Sequence, residues 1–74
     1  HQANIRISEY VRQQMNLPEE KVFSNIQYYG NTTAASIPIA LTEAWEQGRL
    51  QPGDLVCLAA FGSGFTWASA LLTW

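Results

Sequence analysis

Charge and cysteine are both scarce in this sequence. Only four Lys or Arg and six Asp or Glu stand among the 74 residues, and the formal net charge is −2. Because no run of Lys or Arg forms the basic patch that nucleic acid or an anionic membrane would require, we expect neither as a partner. The single cysteine cannot form an internal disulfide, which is typical of proteins from a reducing compartment.

Long apolar runs are absent too. No segment approaches the roughly 20 consecutive apolar residues of a membrane span. The first residues also lack the basic region and apolar stretch of a signal peptide, so we expect neither segment. Hydrophobic residues nevertheless make up 47% of the chain. A chain of this length buries only about 60% of the surface that its unfolded form exposes, so we expect a neighbouring segment to cover part of it. The start at His1, without a Met before it, leads us to expect a piece of a longer protein.

The first third of the chain predicts a helix and then a strand. Apolar residues recur at helical spacing over 3–15, where Asn4 is a candidate N-cap. Pro18 ends this helix, because proline disfavours helical geometry in the residue before it. The stretch 22–29 is rich in β-branched and aromatic residues and predicts a strand that Gly30 closes.

The middle of the chain predicts a second helix over about 33–47. Thr32 is a candidate cap at its start, and Gly48 is a candidate stop at its end. Pro38 falls inside this range, where it removes the amide that would bond to the carbonyl of Ala34. We therefore expect a kink or an irregular first turn.

The last third predicts a turn and two strands. Residues 51–54 read Gln-Pro-Gly-Asp, a turn sequence, and 55–61 is the kind of apolar run found in strands covered on both faces. Residues 62–64 contain two glycines and suit a tight connection to an antiparallel strand over 65–74. The sequence thus predicts an α/β chain with the order α-β-α-β-β, in which the last two strands form an antiparallel pair.

Three blocks carry a resemblance to a known family. They are His-Gln-Ala-Asn-Ile-Arg at 1–6, Gly-Asn-Thr-Thr-Ala-Ala-Ser at 30–36 and Phe-Gly-Ser-Gly-Phe-Thr-Trp at 61–67. In this order they resemble the C-terminal active-site segments of the β-ketoacyl-acyl carrier protein synthase III family. The resemblance implies that 1–74 is the C-terminal segment of a thiolase-like condensing enzyme. It also implies that the nucleophilic cysteine, and a strand lying between 22–29 and 55–61, belong to the rest of that enzyme.

The resemblance implies decarboxylative Claisen condensation of a starter acyl-coenzyme A with malonyl-acyl carrier protein, the first step of fatty-acid synthesis. It identifies His1 and Asn31 as the catalytic pair that donates hydrogen bonds to the enolate oxygen, and it implies no metal and no redox cofactor. Losing one such donor typically costs about 3 kcal/mol. Taken singly, a histidine at a chain start is usually exposed and inert, and an asparagine after glycine usually forms a turn. The surrounding blocks favour the catalytic interpretation.

The same resemblance gives the third block a role. The main-chain N–H of Ser63 would form an oxyanion hole together with that of the nucleophile, although many relatives carry glycine at this position. Such a replacement leaves the donor intact but disfavours positive φ there. Phe61 would pack beside His1 and the nucleophile, and it is also a candidate for substrate binding. The alternatives are a simple hairpin turn for the loop and an ordinary core residue for Phe61.

Asn4 and Arg6 are the remaining candidates for substrate binding. By resemblance, Asn4 contacts the phosphopantetheine arm or the coenzyme A chain. Arg6 faces a coenzyme A phosphate or the acidic acyl carrier protein, or is simply a solvated helix charge. The implied partners are acyl carrier protein, acyl-coenzyme A and malonyl thioesters, and the remainder of the same enzyme. The intact protein is expected to be a homodimer in the bacterial cytoplasm or a plastid.

Three other hypotheses stay open at this point. Cys57, His1 and Asn31 could form a Cys-His-Asn hydrolase of the papain type, but that class places its cysteine at a helix start. A cysteine in mid-strand among apolar residues, like Cys57, is typical of inert packing. The chain could instead be a non-catalytic interaction piece, or it could come from a synthase III-like enzyme of secondary metabolism. The starter acyl group is not specified by these residues.

Overall fold

The computed structural model describes residues 1–74 and combines helices with a two-stranded antiparallel sheet. The helices are α1 (Ile5–Gln14), α2 (Ile26–Tyr29) and α3 (Ser36–Glu46), with single 3-10 turns at Glu19–Lys21 and Thr33–Ala35. The strands are β1 (Leu55–Gly62) and β2 (Thr66–Thr73). The α/β class and the antiparallel pair at the end of the chain are as predicted.

Helix α1 has the cap that the sequence predicts. Asn4 has an extended backbone, and its Oδ1 accepts a hydrogen bond of 2.9 Å from the N–H of Arg6. At the other end, Asn16 adopts a left-handed φ of 53°, and the N–H of Leu17 bonds to the carbonyl of Arg12 at 3.1 Å. Asparagine tolerates this conformation better than most residues, so it ends the helix as a glycine would.

The strand predicted over 22–29 is wrong. Residues 22–25 form no ladder, and Ile26–Tyr29 is helix α2. The cause is a contact from a distant part of the chain: Oε1 of Gln2 accepts from the N–H groups of Asn25 and Ile26 at 2.9 and 3.0 Å. These bonds satisfy amides at the start of the helix, and such a tertiary contact overrides the weak β-propensity of a short segment. Asn31 therefore follows a helix and not a strand.

Helix α3 begins with the irregular turn that Pro38 predicts. The 3-10 turn at 33–35 precedes it, and Pro38 is its third residue, where a missing N–H removes no bond within the helix. The prediction that the side chain of Thr32 caps this region is wrong, because Thr32 makes no capping bond. Asn31 does so instead, since its Oδ1 accepts from the N–H of Thr33 at 2.9 Å.

Gly48 ends helix α3 as predicted. Its φ is 73°, a left-handed conformation that costs glycine little. The N–H of Gly48 bonds to the carbonyl of Trp45 at 3.0 Å, and that of Arg49 bonds to the carbonyl of Ala44 at 2.8 Å. This pair of bonds is the Schellman motif, which satisfies two carbonyls of the last turn.

Strands β1 and β2 form a hairpin, with Leu55 opposite Thr73 and Gly62 opposite Thr66. The connection is 63–65, one residue later than predicted, and the positive φ angles fall on Gly64 and Phe65. The other end of the pair is extended by a bond of 2.9 Å from the N–H of Trp74 to the carbonyl of Asp54. The predicted turn at 51–54 directly precedes β1.

The core of this chain is small. Ala44 is its only buried hydrophobic residue, and Asn25 and Ser36 are the two buried polar ones. Strand β1 is half-buried on one face, whereas Leu55 and Cys57 belong to its exposed face. The predicted coverage of both faces, and the packing of Cys57, are therefore not found within residues 1–74. None of the helices is long and apolar enough to cross a membrane.

Candidate active site

An open cleft of about 650 Å³ lies where the three sequence blocks meet. Its walls come from the first residues, from the turn that starts α3, and from the carboxyl end of β1. They comprise His1, Ala3, Thr33, Ala34, Ile37 and the segment 60–63. The volume is within the range of small-molecule sites, and the lining is mainly apolar with few polar groups, as such sites usually are.

His1 lies against strand β1. Its main-chain nitrogen donates a hydrogen bond to the carbonyl of Ala59, which aligns the first residues with the carboxyl half of the strand. The imidazole lines the cleft, and its Nδ1 is buried without a hydrogen-bond partner. Buried polar atoms without a partner are uncommon in folded proteins, and a catalytic role is one explanation for them. Of the sequence candidates, His1 is the only ionisable side chain in the cleft.

Asn31 lies beside the cleft and not in its wall. It is bound to the wall residue Thr33, whose N–H donates to Oδ1 of Asn31. Since the oxygen of the carboxamide is engaged, the amide orientation is fixed, and the Nδ2 group makes no hydrogen bond within the chain. The side chain is exposed. It therefore offers two free N–H donors next to the cleft that holds the ring of His1.

Phe61 and Ser63, the two candidates from the third block, both line the cleft. The side chain of Phe61 is 53% exposed, so Phe61 is not an ordinary core residue within this chain. Ser63 is not among the residues with positive φ, and no turn or cap hydrogen bond uses its N–H. Serine thus fits this position without backbone strain. Its carbonyl accepts from Oγ1 of Thr66 at 2.9 Å, which holds the loop closed.

Asn4 and Arg6 lie outside the cleft wall, at the start of helix α1. Both are exposed. The side-chain oxygen of Asn4 is engaged in capping the helix. The guanidinium of Arg6 makes neither a hydrogen bond nor an ion pair. The guanidinium of Arg12, by contrast, pairs with Glu9 at 3.0 Å. The charge of Arg6 is free to meet a group from outside the chain.

A polar cluster that the sequence did not indicate connects Gln2, the residue after His1, with α2 and α3. Gln2 bonds to Asn25, and Nδ2 of Asn25 in turn donates to Oε2 of Glu43 at 3.1 Å. The hydroxyl of Tyr29 donates a hydrogen bond to the other oxygen of Glu43. This hydrogen bond and the negative charge of the Glu43 carboxylate raise the pKa of Tyr29. No periodicity reveals such a cluster. The only signal was the presence of glutamine directly after the candidate histidine.

A cleft lined by a histidine and a glycine-containing turn at the end of a strand, with a carboxamide beside it, resembles the site expected of a thiolase-like condensing enzyme. Solved structures confirm the class. The chain superposes over its whole length on β-ketoacyl-[acyl carrier protein] synthase III from Thermus thermophilus, with a TM-score of 0.96 and 54% identity, covering 23% of that chain. It matches 3-oxoacyl-[acyl-carrier-protein] synthase III from Aquifex aeolicus equally well, again with a TM-score of 0.96 and 54% identity, covering 24% of that chain.

The sequence comparisons agree. The family described as 3-oxoacyl-[acyl-carrier-protein (ACP)] synthase III C terminal matches residues 1–74. β-Ketoacyl-[acyl-carrier-protein] synthase III of Campylobacter jejuni is 58% identical over 97% of this chain, and that of Roseiflexus sp. is 57% identical over 100%. The chain therefore belongs to the 3-oxoacyl-[acyl-carrier-protein] synthase III family. It spans 22% of the length of each of these two relatives.

Proposed function

We propose that the protein carrying this segment catalyses the decarboxylative condensation of a starter acyl-coenzyme A with malonyl-acyl carrier protein. The observation that supports it most is the meeting of His1 and the 60–63 segment in one cleft, with the free amide of Asn31 beside it. Relatives above 50% identity are named β-ketoacyl-[acyl-carrier-protein] synthase III, which supports an acyl carrier protein as partner.

In this proposal, His1 and Asn31 stabilise the enolate. When the malonyl thioester loses carbon dioxide, the electron pair of the broken carbon–carbon bond moves into the thioester, and negative charge develops on its oxygen. An imidazole N–H and a carboxamide N–H aimed at this oxygen lower the barrier because they are oriented before the charge appears. The enolate carbon then attacks the starter acyl group on a cysteine outside these residues. A carbon–carbon bond forms, and the cysteine thiolate leaves.

The other cleft residues act on the acyl-transfer step or on binding. The N–H of Ser63 donates to the oxyanion that forms when the starter acyl group moves to the cysteine. Phe61 presents an apolar face to the acyl group. Arg6 and Asn4, at the start of α1, bind the phosphate and the arm of the carrier thioester. The resemblance alone supports the further proposal of a homodimer in the cytoplasm or a plastid. The description of the matching family supports the proposal that 1–74 is the C-terminal segment of the protein.

A hydrolase built on Cys57 has no support from this geometry. Cys57 lies in the middle of β1, not at a helix start, and is not among the residues of the cleft. Its side chain is exposed. The Cys-His-Asn arrangement requires its cysteine and histidine within hydrogen-bond reach, and no hydrogen bond joins Cys57 to His1.

Separate assays of the two half-reactions test the proposed function. In the full-length protein, His1→Ala or Asn31→Ala should abolish the release of carbon dioxide from malonyl-acyl carrier protein. Transfer of the starter acyl group to the cysteine should stay substantially intact, because neither side chain is assigned to that step. Carbon dioxide release and the trapped acyl-enzyme are the two measurements. Equal loss of both half-reactions would contradict the division of roles.

A further inference from the structure

Gln2 connects two segments that are far apart in the sequence. Its Oε1 accepts from the N–H groups of Asn25 and Ile26 at 2.9 and 3.0 Å, and from Oγ of Ser24 at 3.3 Å. Its Nε2 donates to Oδ1 of Asn25 at 2.9 Å, and its main-chain N–H donates to Oγ of Ser36 at 2.7 Å. The side chain is thus bound to the start of α2, while its backbone is bound to the start of α3.

Two of the partners of Gln2, Asn25 and Ser36, are the only buried polar residues of the chain. Asn25 is 5% exposed and Ser36 is 3% exposed. From Asn25 the bonds continue to Glu43 on α3 and from there to Tyr29, the last residue of α2. A buried polar network whose members are paired is rigid and specifies one arrangement of the elements that it joins. Here the part-buried bonds join the first residues to the start of α2, whereas the bond between Tyr29 and Glu43 at its other end is exposed.

The two candidate enolate donors flank this network. His1 directly precedes Gln2, and Asn31 follows the end of α2 by two residues. The N–H of Gly30 bonds to the carbonyl of Ile26 at 2.7 Å, so the residue directly before Asn31 is tied to the first residue of α2. The path from His1 to Asn31 through Gln2, Asn25 and α2 is therefore short and continuous.

We infer that Gln2 is a positioning residue that sets the separation between His1 and Asn31, acting through Asn25 and helix α2. This inference rests on the proposed function, since it assigns both donors to one enolate oxygen. Two donors stabilise one oxygen only when both are held at the correct distance and angle, and small displacements lose much of the effect. The N–H of Ser63, by contrast, belongs to the β1–β2 loop, and Gln2 makes no hydrogen bond to that loop.

Gln2 should therefore affect one half-reaction and not the other. In the full-length protein, Gln2→Ala should lower the kcat of malonyl decarboxylation by about tenfold or more, the loss that misplacing a reacting group produces. Acyl transfer should stay near the native rate. Gln2→Glu keeps an acceptor oxygen for the two N–H groups and should recover part of the decarboxylation rate. Gln13→Ala is the matched control, because Gln13 is an exposed glutamine of α1 whose side chain makes no hydrogen bond.

A double-mutant cycle identifies the route. If Gln2 acts through Asn25, combining Gln2→Ala with Asn25→Ala should lower decarboxylation little further than the more damaging single change. If the two single changes instead lower the decarboxylation rate by factors that multiply in the double variant, the inference is wrong. It is also wrong if Gln2→Ala lowers the rates of both half-reactions equally and lowers the Tm, because these results indicate a merely structural role. Should Gln2→Ala fail to fold, Gln2→Glu decides the matter by the same comparison of half-reactions.

The variants of His1 and Asn31, measured in parallel, separate this inference from the proposed function. If they lose decarboxylation while Gln2→Ala retains it, only the positioning role fails. If they retain decarboxylation, the donor pair fails and the inference fails with it. Loss in all three, with acyl transfer preserved, is the result that we expect.

Discussion

The role proposed for Ser63 uses its main-chain N–H and not its side chain. It lines the cleft, has no left-handed φ, and makes no turn or cap bond with its N–H. The left-handed backbone conformations of the loop fall on the next two residues, since Gly64 and Phe65 have φ values of 73° and 54°. The role proposed for Ser63 thus depends on its main chain alone.

Ser63→Gly and Ser63→Ala should therefore be tolerated, whereas Ser63→Pro should damage acyl transfer. Glycine and alanine keep the N–H, but proline removes it, and losing an oxyanion donor costs about 3 kcal/mol, roughly a hundredfold in rate. The measurement is the rate of acylation of the nucleophilic cysteine. A Ser63→Pro variant that acylates at the native rate would reduce the loop to an ordinary turn.

Arg6 carries an unpaired charge on the surface, so its effect should depend on salt. Arg6→Ala should raise KM for the carrier-protein or coenzyme A substrate with little change in kcat, because the proposed contact is remote from the reacting atoms. The effect should shrink as ionic strength rises, since the Debye length falls to about 3 Å at 1 M salt. Lys21→Ala is the control, an exposed cation without a side-chain hydrogen bond. A fall in kcat at constant KM would indicate a structural role instead.

Among the elements, helix α1 combines stability and binding in one residue. Asn4 caps the helix, and its proposed second role is to contact the arm of the substrate. Asn4→Ala should lower the free energy of unfolding by about 1 kcal/mol through loss of the cap, and Asn4→Ser should restore most of it. Only the stability should recover in the serine variant, because the shorter side chain of serine can still cap the helix but cannot reach the arm of the substrate. Thermal unfolding and KM are measured together, and full recovery of KM by serine would exclude the second role.

Local signals in the sequence predicted most elements but not the one between the donors. Asn4, Pro38 and Gly48 act within their own helices, so the ends of α1 and α3 could be predicted. Helix α2 could not, because its start is stabilised by Gln2, 23 residues away from Asn25 in the sequence. The candidate residues of the site belong to local motifs, so they could be predicted from the sequence. The polar network around Gln2 depends on contacts between distant residues, so it appeared only in the structure.

At the scale of the whole molecule, residues 1–74 bury too little to be self-sufficient. Large hydrophobic side chains remain exposed along the hairpin, including Leu55 and Trp67 at 73% each and Phe65 at 93%. The sheet has only two strands, and an isolated pair is marginally stable at best. The edge of β1 that faces away from β2 bonds to His1 through the carbonyl of Ala59. Another strand pairing with the free part of this edge would extend the sheet.

A synthetic peptide of residues 1–74 should therefore associate or unfold in a broad, non-cooperative thermal transition, and it should not catalyse condensation. The exposed edge of β1 and the exposed apolar face that β1 and β2 share are what favour association. Adding the complementary part of the full-length protein should order the peptide, because it supplies the missing strand and the cover. Trp67→Lys tests whether exposed apolar surface causes the association. A charge at this exposed position of β2 should reduce association, but the thermal transition should stay broad because the substitution adds nothing to the core. Calorimetry and sedimentation measure both properties, and a sharp transition from a monodisperse native peptide would show that these residues close a core of their own.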